Sequence, residues 1–529
     1  MQSSRCRVTA HTEGIQPTNA FAQLLSQSTA QAQHVQYGDG GLMCLILTAR
    51  MVQAALQVSA TRQDLYETCC AVQAVGDRLS ELLLMAGSST ELADTTVAAL
   101  HVPCQSLHHY MALCRGVLSP KLSFLLTEAE LEQLVLLVCE AFVLTLPNQP
   151  MDAGGADTSA AMRVPVHVLH GSTLHDSCVL PGVVLPADEV PLAVFASFLP
   201  GKASGTLAGS HAPPSPVGMM LFSGELDGSL RDPNTAAGIR TQLESLLLAE
   251  QSGILEPGDD EEQRLQLTLT ALERMMEPFG NVRLFVCQKG ISPVVQEWLV
   301  SRGIASLQRL GAASISALSL ITGCPLLATL GKALVAPGTA PGTSACVHVE
   351  LKEIGARRLL LVMPAASANS SPRPSATLVL GAPSDALSSQ VQQAVEAALR
   401  LLHGTLLQAP TMAVAGGGAI ELALAKTLDA WSTRLGGTAP QVNVIRAAAA
   451  ALRELAYTLS PSHVRNSLTE DMTLSGLQGD VIRNNIAAQG SSTAPGDDQR
   501  RVLDSLPSKV AAFRRSTDTA IQLLRLTGM

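Results

Sequence analysis

Apolar residues recur at helical spacing through residues 16–146, so the first quarter of the chain is expected to be helical. Within it, residues 43–58 form an apolar helix. Thr127 and Glu130 make a capping-box pattern ahead of the mostly apolar run 131–144. The period then shortens. Val164, Val166 and Val168 alternate with Pro165, His167 and Leu169, which predicts a strand with His167 exposed on the face away from the valines. Residues 175–185 read as a turn between two extended pieces. Residues 192–199 and 219–222 read as strands, separated by a Gly/Pro/Ser-rich loop at 201–218. Residues 261–276 are amphipathic, with Leu265, Leu272, Met275 and Met276 on one face.

The clearest local unit runs from 281 to 307. Residues 281–287 have the length and apolarity of a strand. Ser292-Pro293 starts a helix, with Ser at the N-cap and Pro at the first helical position. Val294, Val295, Trp298 and Leu299 share a face, Gly303 ends the helix, and 304–307 is the next strand. Pro/Ser/Gly-rich breaks follow at 337–344 and 365–377, then a short strand at 378–380 and a helix at 388–407. Helical periodicity returns at 419–434, 442–459 and 507–526, and 489–499 is polar enough to be disordered. The order is therefore helical, mixed, α/β, mixed, helical. A domain built from both chain ends around an inserted middle is compatible with it.

At 529 residues the chain has room for two or three domains. Aromatics make up only 3% of a chain that is 47% hydrophobic, so Ala, Leu and Val must fill the interior. A net charge of −9 without any Lys/Arg-rich run argues against nucleic-acid binding. Residues 310–331 are uncharged and long enough for a bilayer. Pro325, Gly311, Gly323, Gly331 and several Ser/Thr favour a buried helix-loop there, and no membrane span is expected. The start lacks an apolar signal segment. Eleven cysteines without a C-x-x-C spacing suggest free thiols in a reducing compartment. Cys287, ending an apolar strand, is expected to be structural and unreactive.

Three patterns could carry chemistry. Gly38-Asp39-Gly40-Gly41-Leu42 precedes a helix, where free N–H groups suit phosphate and a carboxylate suits Mg²⁺; an ordinary Asp/Gly helix start is the plainer alternative. Gly416-Gly417-Gly418, with Glu421 beyond, is either a nucleotide-packing turn or simply a tight turn before a helix. His167, His170, His175 and Cys178 could be read as a metal cluster, but an exposed His167 argues against it, and no metal is expected. No Ser/His/Asp signature appears.

The wording of certain segments is more specific than their periodicity. Cys287-Gln288-Lys289-Gly290-Ile291, Arg302-Gly303-Ile304-Ala305, Gln308-Arg309-Leu310 and Thr322-Gly323 resemble the apical domain of group II chaperonins, with Ser292 and Pro293 where the family usually has two acidic residues. The resemblance implies a mixed α and α/β fold on a three-domain plan. The equatorial domain would take residues 1–125 and 408–529, the intermediate domain 126–180 and 373–407, and the apical domain 181–372. It also implies ATP and Mg as cofactors. Gly38, Asp39 and Gly40 match the start of the family's Gly-Asp-Gly-Thr-Thr motif, with both threonines replaced by Gly41 and Leu42, and the resemblance implies Asp39, Gly40 and Gly41 as nucleotide-binding residues. Gly416 and Gly417, with Gly418, match the second nucleotide motif.

Two family parts do not match. Residues 1–37 contain nothing like the Gly-rich phosphate loop, so the chain reads as beginning beyond it. Ser389 stands where the family carries its catalytic Asp. Weak or absent ATP hydrolysis is therefore expected.

Asp176-Ser177-Cys178-Val179-Leu180-Pro181-Gly182, Leu330-Gly331 and Leu503-Asp504-Ser505-Leu506 further resemble the McKusick–Kaufman/Bardet–Biedl chaperonin-like branch. That branch implies an assembly chaperone for the BBSome, a ciliary coat complex. Its partners would be other Bardet–Biedl chaperonin-like proteins, cytosolic ring chaperonin subunits and BBSome subunits. Its location would be cytoplasmic, at the centrosome, pericentriolar region and basal body. The chain ends lack the family's first segment and its extended acidic tail, so a monomer or labile hetero-complex is expected rather than a homo-oligomeric double ring. Two alternatives remain. One is an active ATP-dependent folding machine of the cytosolic chaperonin type. The other is a nucleotide-dependent metabolic enzyme, disfavoured because no catalytic constellation accompanies Cys287 to Gly290.

Overall fold

The computed structural model describes residues 20–58, 62–84, 97–98, 100–104, 106–146, 164–188, 190–196, 216–224, 281–327, 345–354, 357–365, 375–406, 412–459 and 502–527, with single positions or short pieces between 226 and 276. The chain forms two compact units. One combines Met1–Cys139 with Ser389–Met529; the other is Glu140–Ser388.

In chain order, the first unit supplies α1 (Ala20–Tyr37), α2 (Gly41–Val58), α3 (Arg62–Leu84), β1 (His101–Pro103), α4 (Leu107–Leu122) and most of α5 (Glu128–Leu144). The second supplies β2 (Val166–His170), β3 (Cys178–Pro181), β4 (Val183–Pro186), α6 (Leu192–Ala196), β5 (Val217–Phe222), β6 (Val282–Cys287), α7 (Pro293–Ser301), β7 (Ala305–Leu307), α8 (Gly311–Thr322), β8 (Leu326–Leu327), β9 (Ala345–Ile354), β10 (Arg357–Pro364) and β11 (Ala376–Ala382). Helix α9 (Asp385–Leu406) leads back to the first unit, which closes with β12 (Met412–Ala415), α10 (Ala419–Arg434), α11 (Ala439–Leu459), β13 (Leu503–Ser505) and α12 (Leu506–Thr527).

The first unit is built on α2, α3, α10, α11 and α12. Cys44, Leu47, Met51 and Ala55 follow helical spacing down one face of α2 and are buried against a core rich in Ala, Leu and Val, including Leu424, Val444, Ala448, Leu452, Ala512 and Leu524. Hydroxyls on α12 and its neighbours find partners within the unit. Thr48 donates to the Cys44 carbonyl at 2.7 Å, and Thr29 and Thr519 share a bond at 2.7 Å. A small antiparallel sheet, β1-β12-β13, adds to this unit.

The second unit carries a mixed seven-stranded sheet in the order β4-β10-β9-β5-β6-β7, with β8 beside β5. Strands β5, β6 and β7 run parallel. The apolar run Leu284–Cys287 of β6 follows from burial on both faces. Leu284 and Val286 enter one cluster with Val217, Met219 and Leu318; Phe285 and Cys287 enter the opposite one with Met220, Phe222 and Leu299. A second sheet, β2-β11-β3, has β11 in the centre.

Three expectations need correction, and one element is additional. Residues 192–196 are helix, not strand; Pro191 presets the first turn, and the Val194 N–H bonds back to its carbonyl at 3.1 Å. The β9–β10 hairpin was absent from the sequence reading. His167 is half-buried rather than exposed, and burial lowers its pKa. Val294 is 49% exposed, although Val295 and Leu299 on the same helix are buried. Ser292 does stand at the N-cap of α7, without a side-chain cap bond, and Gly303 closes that helix at φ 69°. Leu265, Met275 and 489–499 lie outside the described residues.

The described cysteines are free thiols. Cys287 is fully buried, and its thiol donates to the Gly224 carbonyl at 3.3 Å. Cys287→Ser should cost about 1–3 kcal/mol by burying a more polar group in an apolar cluster. Denaturant unfolding checks this, and rapid labelling of the native thiol would show the site to be open instead.

His403, near the end of α9, is held at a pKa of about 4, mainly by burial, with a backbone bond to Leu399 working the other way. The unfolded chain therefore binds the proton more readily. Stability contributed by neutral His403 is complete above the unfolded pKa near 6.5 and is lost as pH falls towards 4. Between pH 7 and pH 5 this amounts to about 2 kcal/mol. His403→Gln should flatten that part of the stability profile; an unchanged acid limb would remove the assignment.

Candidate functional site

The first glycine loop joins α1 to α2. Gly38 and Gly40 sit at φ 73° and 84°, conformations that favour glycine. Packing also requires these residues. A Cβ on Gly38 would lie 2.1 Å from the Ala397 carbonyl oxygen of α9, one on Gly40 would meet Gln33 Nε2 at 3.1 Å, and one on Gly41 would meet the Ala30 carbonyl at 3.1 Å. The helix-packing explanation thus accounts for all three glycines. Asp39 is different. Its carboxylate is exposed at the mouth of the loop, beside the first turn of α2, where N–H groups lack intrahelical partners. Leu42, in that first turn, is 62% exposed and offers no hydroxyl.

Cations converge on the same loop. Lys121, at the end of α4, donates to the Gly38 carbonyl at 3.3 Å, and Arg400 of α9 donates to the His34 carbonyl at 3.3 Å. Burial first, then the charges of Lys121 and Arg400, lower the pKa of His34, while Asp39 opposes them. Lys121 is 83 residues from Gly38, and sequence reasoning missed it.

The second loop follows β12. Gly417 and Gly418 adopt φ 63° and 87°. A Cβ on Gly416 would meet Val502 at 2.9 Å and Asp504 at 3.1 Å, and one on Gly418 would meet the Ala456 carbonyl at 2.7 Å. Gly417 alone faces open space, with nothing within 4 Å of its notional Cβ. Below the turn, Glu421 in the first turn of α10 is fully buried and paired with Lys509 of α12; Lys509 also reaches Asp504 of β13 at 3.0 Å. Burial alone would lower the Lys509 pKa, but the two carboxylates outweigh it and hold the ammonium charged. Glu421 was noted in the sequence only as a neighbour of the glycines; its partners Asp504 and Lys509 were not foreseen.

Both loops lean on α12. Gly40 approaches Ala512, Gln33 donates to the Ser508 carbonyl at 3.0 Å, and Lys509 anchors the second loop. Ser389 is exposed near the start of α9. It lies eight residues before Ala397, about 12 Å along the helix axis. Its hydroxyl cannot act as a carboxylate base.

These residues fit part of a nucleotide site. Gly417 offers an open backbone surface for a base or sugar, Asp39 a carboxylate for a cation, and Lys121 an ammonium for phosphate. Neither Leu42 nor Ser389 carries a carboxylate. Among the described residues, no group of three or more His, Cys, Asp or Glu could hold a metal ion, and no helix is long and apolar enough to cross a membrane. His170 pairs with Asp385 at 3.0 Å instead.

Residues 254–529 match the model of the TCP-1/cpn60 chaperonin family. Molecular chaperone MKKS of Homo sapiens is 26% identical over 310 residues, covering 58% of this chain and 46% of that protein, and its Mus musculus counterpart is 25% identical over 315 residues. The chain thus spans about half the length of these relatives. Thermosome subunit alpha of Saccharolobus solfataricus is 21% identical over 512 residues, covering 96% of this chain and 80% of the thermosome subunit. The open-state monomer of a group II chaperonin from Methanococcoides burtonii superposes with a TM-score of 0.55 at 14% identity, covering 92% of this chain and 99% of that one. The fold is that of a group II chaperonin monomer.

Proposed function

This chain belongs to the TCP-1/cpn60 chaperonin family, and from that premise we propose that it is an assembly chaperone with weak or no ATP hydrolysis. The observation that carries the reading is the exposed Ser389 at the position where the family resemblance calls for a catalytic carboxylate. A serine there leaves the attacking water without a base. Binding of Mg-ATP is a separate matter. Gly417, Asp39 and Lys121 would hold the base or sugar, the cation and a phosphate respectively. The nucleotide would supply a binding-linked shift in conformation rather than a hydrolytic cycle.

The domain plan goes with this reading. Residues 1–125 and 408–529 act as the equatorial part, 126–180 and 373–407 as the intermediate part, and 181–372 as the apical part. The clients are subunits of the BBSome. The partners are other Bardet–Biedl chaperonin-like proteins and subunits of the cytosolic ring chaperonin, met in the cytoplasm around the centrosome and basal body. Similarity to proteins named molecular chaperone MKKS supports this choice over a general folding role.

The test is affinity purification of the tagged full chain from ciliated cells, with quantification of BBSome and chaperonin subunits. Enrichment of these subunits with the tagged chain is expected, and it should not require ATP hydrolysis: a non-hydrolysable ATP analogue in the lysate should leave it in place. Absence of all of these proteins above an untagged control would sink the proposal.

A further inference from the structure

The ion triad beneath the second glycine loop has a place in the fold that stability alone does not explain. Lys509 joins three elements: Glu421 in the first turn of α10, Asp504 of β13, and its own first turns of α12. The Gly416–Gly418 turn lies among them. Asp504 sits against Gly416, whose notional Cβ would meet its carboxylate at 3.1 Å, and the Gly416 N–H donates to the Val502 carbonyl at 3.0 Å. Asp504 is thereby pinned between the turn and the ammonium.

Charges are an expensive way to fill such a space. An apolar set of similar volume is often as stable or more so. Here the set is also imperfect. Glu421 is fully buried, and its Oε2 has no hydrogen-bond partner, a cost that packing alone would avoid. What charges add is direction: one ammonium fixes where both carboxylates, and hence β13 and the start of α10, stand relative to the turn.

We propose that Lys509 is a positioning residue: through Asp504 and Glu421 it sets the backbone of the Gly416–Gly418 turn in the form that receives a nucleotide. This inference rests on the nucleotide-binding part of the proposed function and names a residue that acts on the ligand only through others.

The experiment titrates the purified full chain with Mg-ATP by calorimetry, alongside thermal melting of each variant. Lys509→Met strands the fully buried Glu421 carboxylate and leaves the half-buried Asp504 without its partner, so it risks failing to fold. The informative variant is therefore the neutral triple change Glu421→Gln, Asp504→Asn, Lys509→Met, paired with Lys509→Arg. Removing the groups that orient the ligands of a metal site typically weakens binding by about 10–100-fold, and the same scale is taken for groups that orient this turn. We expect a loss of that size in the triple variant at a temperature where it is fully folded, and affinity largely kept in Lys509→Arg. A triple variant that is less stable but binds Mg-ATP as the unchanged protein does would show the triad to be structural only, overturning the inference and leaving the nucleotide reading intact. No binding by the unchanged protein would overturn nucleotide binding itself, and the inference with it.

Discussion

Purified full-length protein is expected to hydrolyse ATP about 10²–10⁴-fold more slowly than an ATP-cycling ring chaperonin, because that is the usual cost of removing a positioned general base. Two features set the direction. Ser389 is exposed on α9 with a hydroxyl that cannot take a proton from water at neutral pH. Leu42 presents an apolar side chain in the first turn of α2, where the family motif has a hydroxyl. Asp39, Lys121 and the Gly417 surface remain, so binding and turnover should separate. Single-turnover measurement with radiolabelled ATP reads the chemical step directly. Turnover at the ring chaperonin's rate, abolished by Asp39→Ala, would mean that another group serves as base and that the protein is an active folding machine.

How far the sequence revealed this structure depends on the range of the interactions involved. Helix α10 was read at its observed limits, 419–434, because its signals are local: a glycine turn before it, apolar spacing along it, and glycines at 436 and 437 after it. The β-α-β unit from β6 to β7 was legible for the same reason. The β9–β10 hairpin does leave a signal in the sequence. Val347 and Val349 are buried while Cys346 and Glu350 are exposed, a strand alternation leading into Gly355-Ala356. Strands β1, β12 and β13 left almost none. They are three or four residues long, and the pairings that make them strands, such as His101 with Val414 and Ala413 with Ser505, span long stretches of chain. The candidate site divides in the same way. Asp39 and the glycines could be found as words in the sequence. Lys121 and Lys509 could not, and Asp504, though part of a recognisable segment, could not be placed beside the second glycine loop, because their partners are chosen by the fold. His167 went wrong for this reason: its strand alternation suggested exposure, but it is half-buried, and the charges acting on it include Asp188 and Arg357 from distant segments.

Gly38→Ala should be among the most damaging single changes in the first unit, although it adds only one methyl group, because Gly38 is buried. Two penalties act together. The residue sits at φ 73°, where an L side chain is strained by about 1–3 kcal/mol. The added Cβ would also fall 2.1 Å from the Ala397 carbonyl oxygen and 2.8 Å from its Cα. These are main-chain atoms in the middle of a helix, so no rotamer change relieves the overlap, and overpacking of this kind adds about 1–3 kcal/mol more. The sum is a large share of the roughly 5–15 kcal/mol that holds a typical domain together. The relaxation available is to move the Asp39 loop away from α9. Lys121 and Arg400, which bond the Gly38 and His34 carbonyls, would move or detach with it. Chemical denaturation should therefore show a loss of at least about 2 kcal/mol, and Mg-ATP affinity should fall in the fraction that remains folded. The control is Gly171→Ala, also at positive φ (79°) but with open space around its notional Cβ. It carries the strain without the overlap and should cost clearly less. Equal losses at the two positions would mean that backbone strain alone governs the loop, and that the close approach of α9 to Gly38 contributes nothing to holding Asp39 in place.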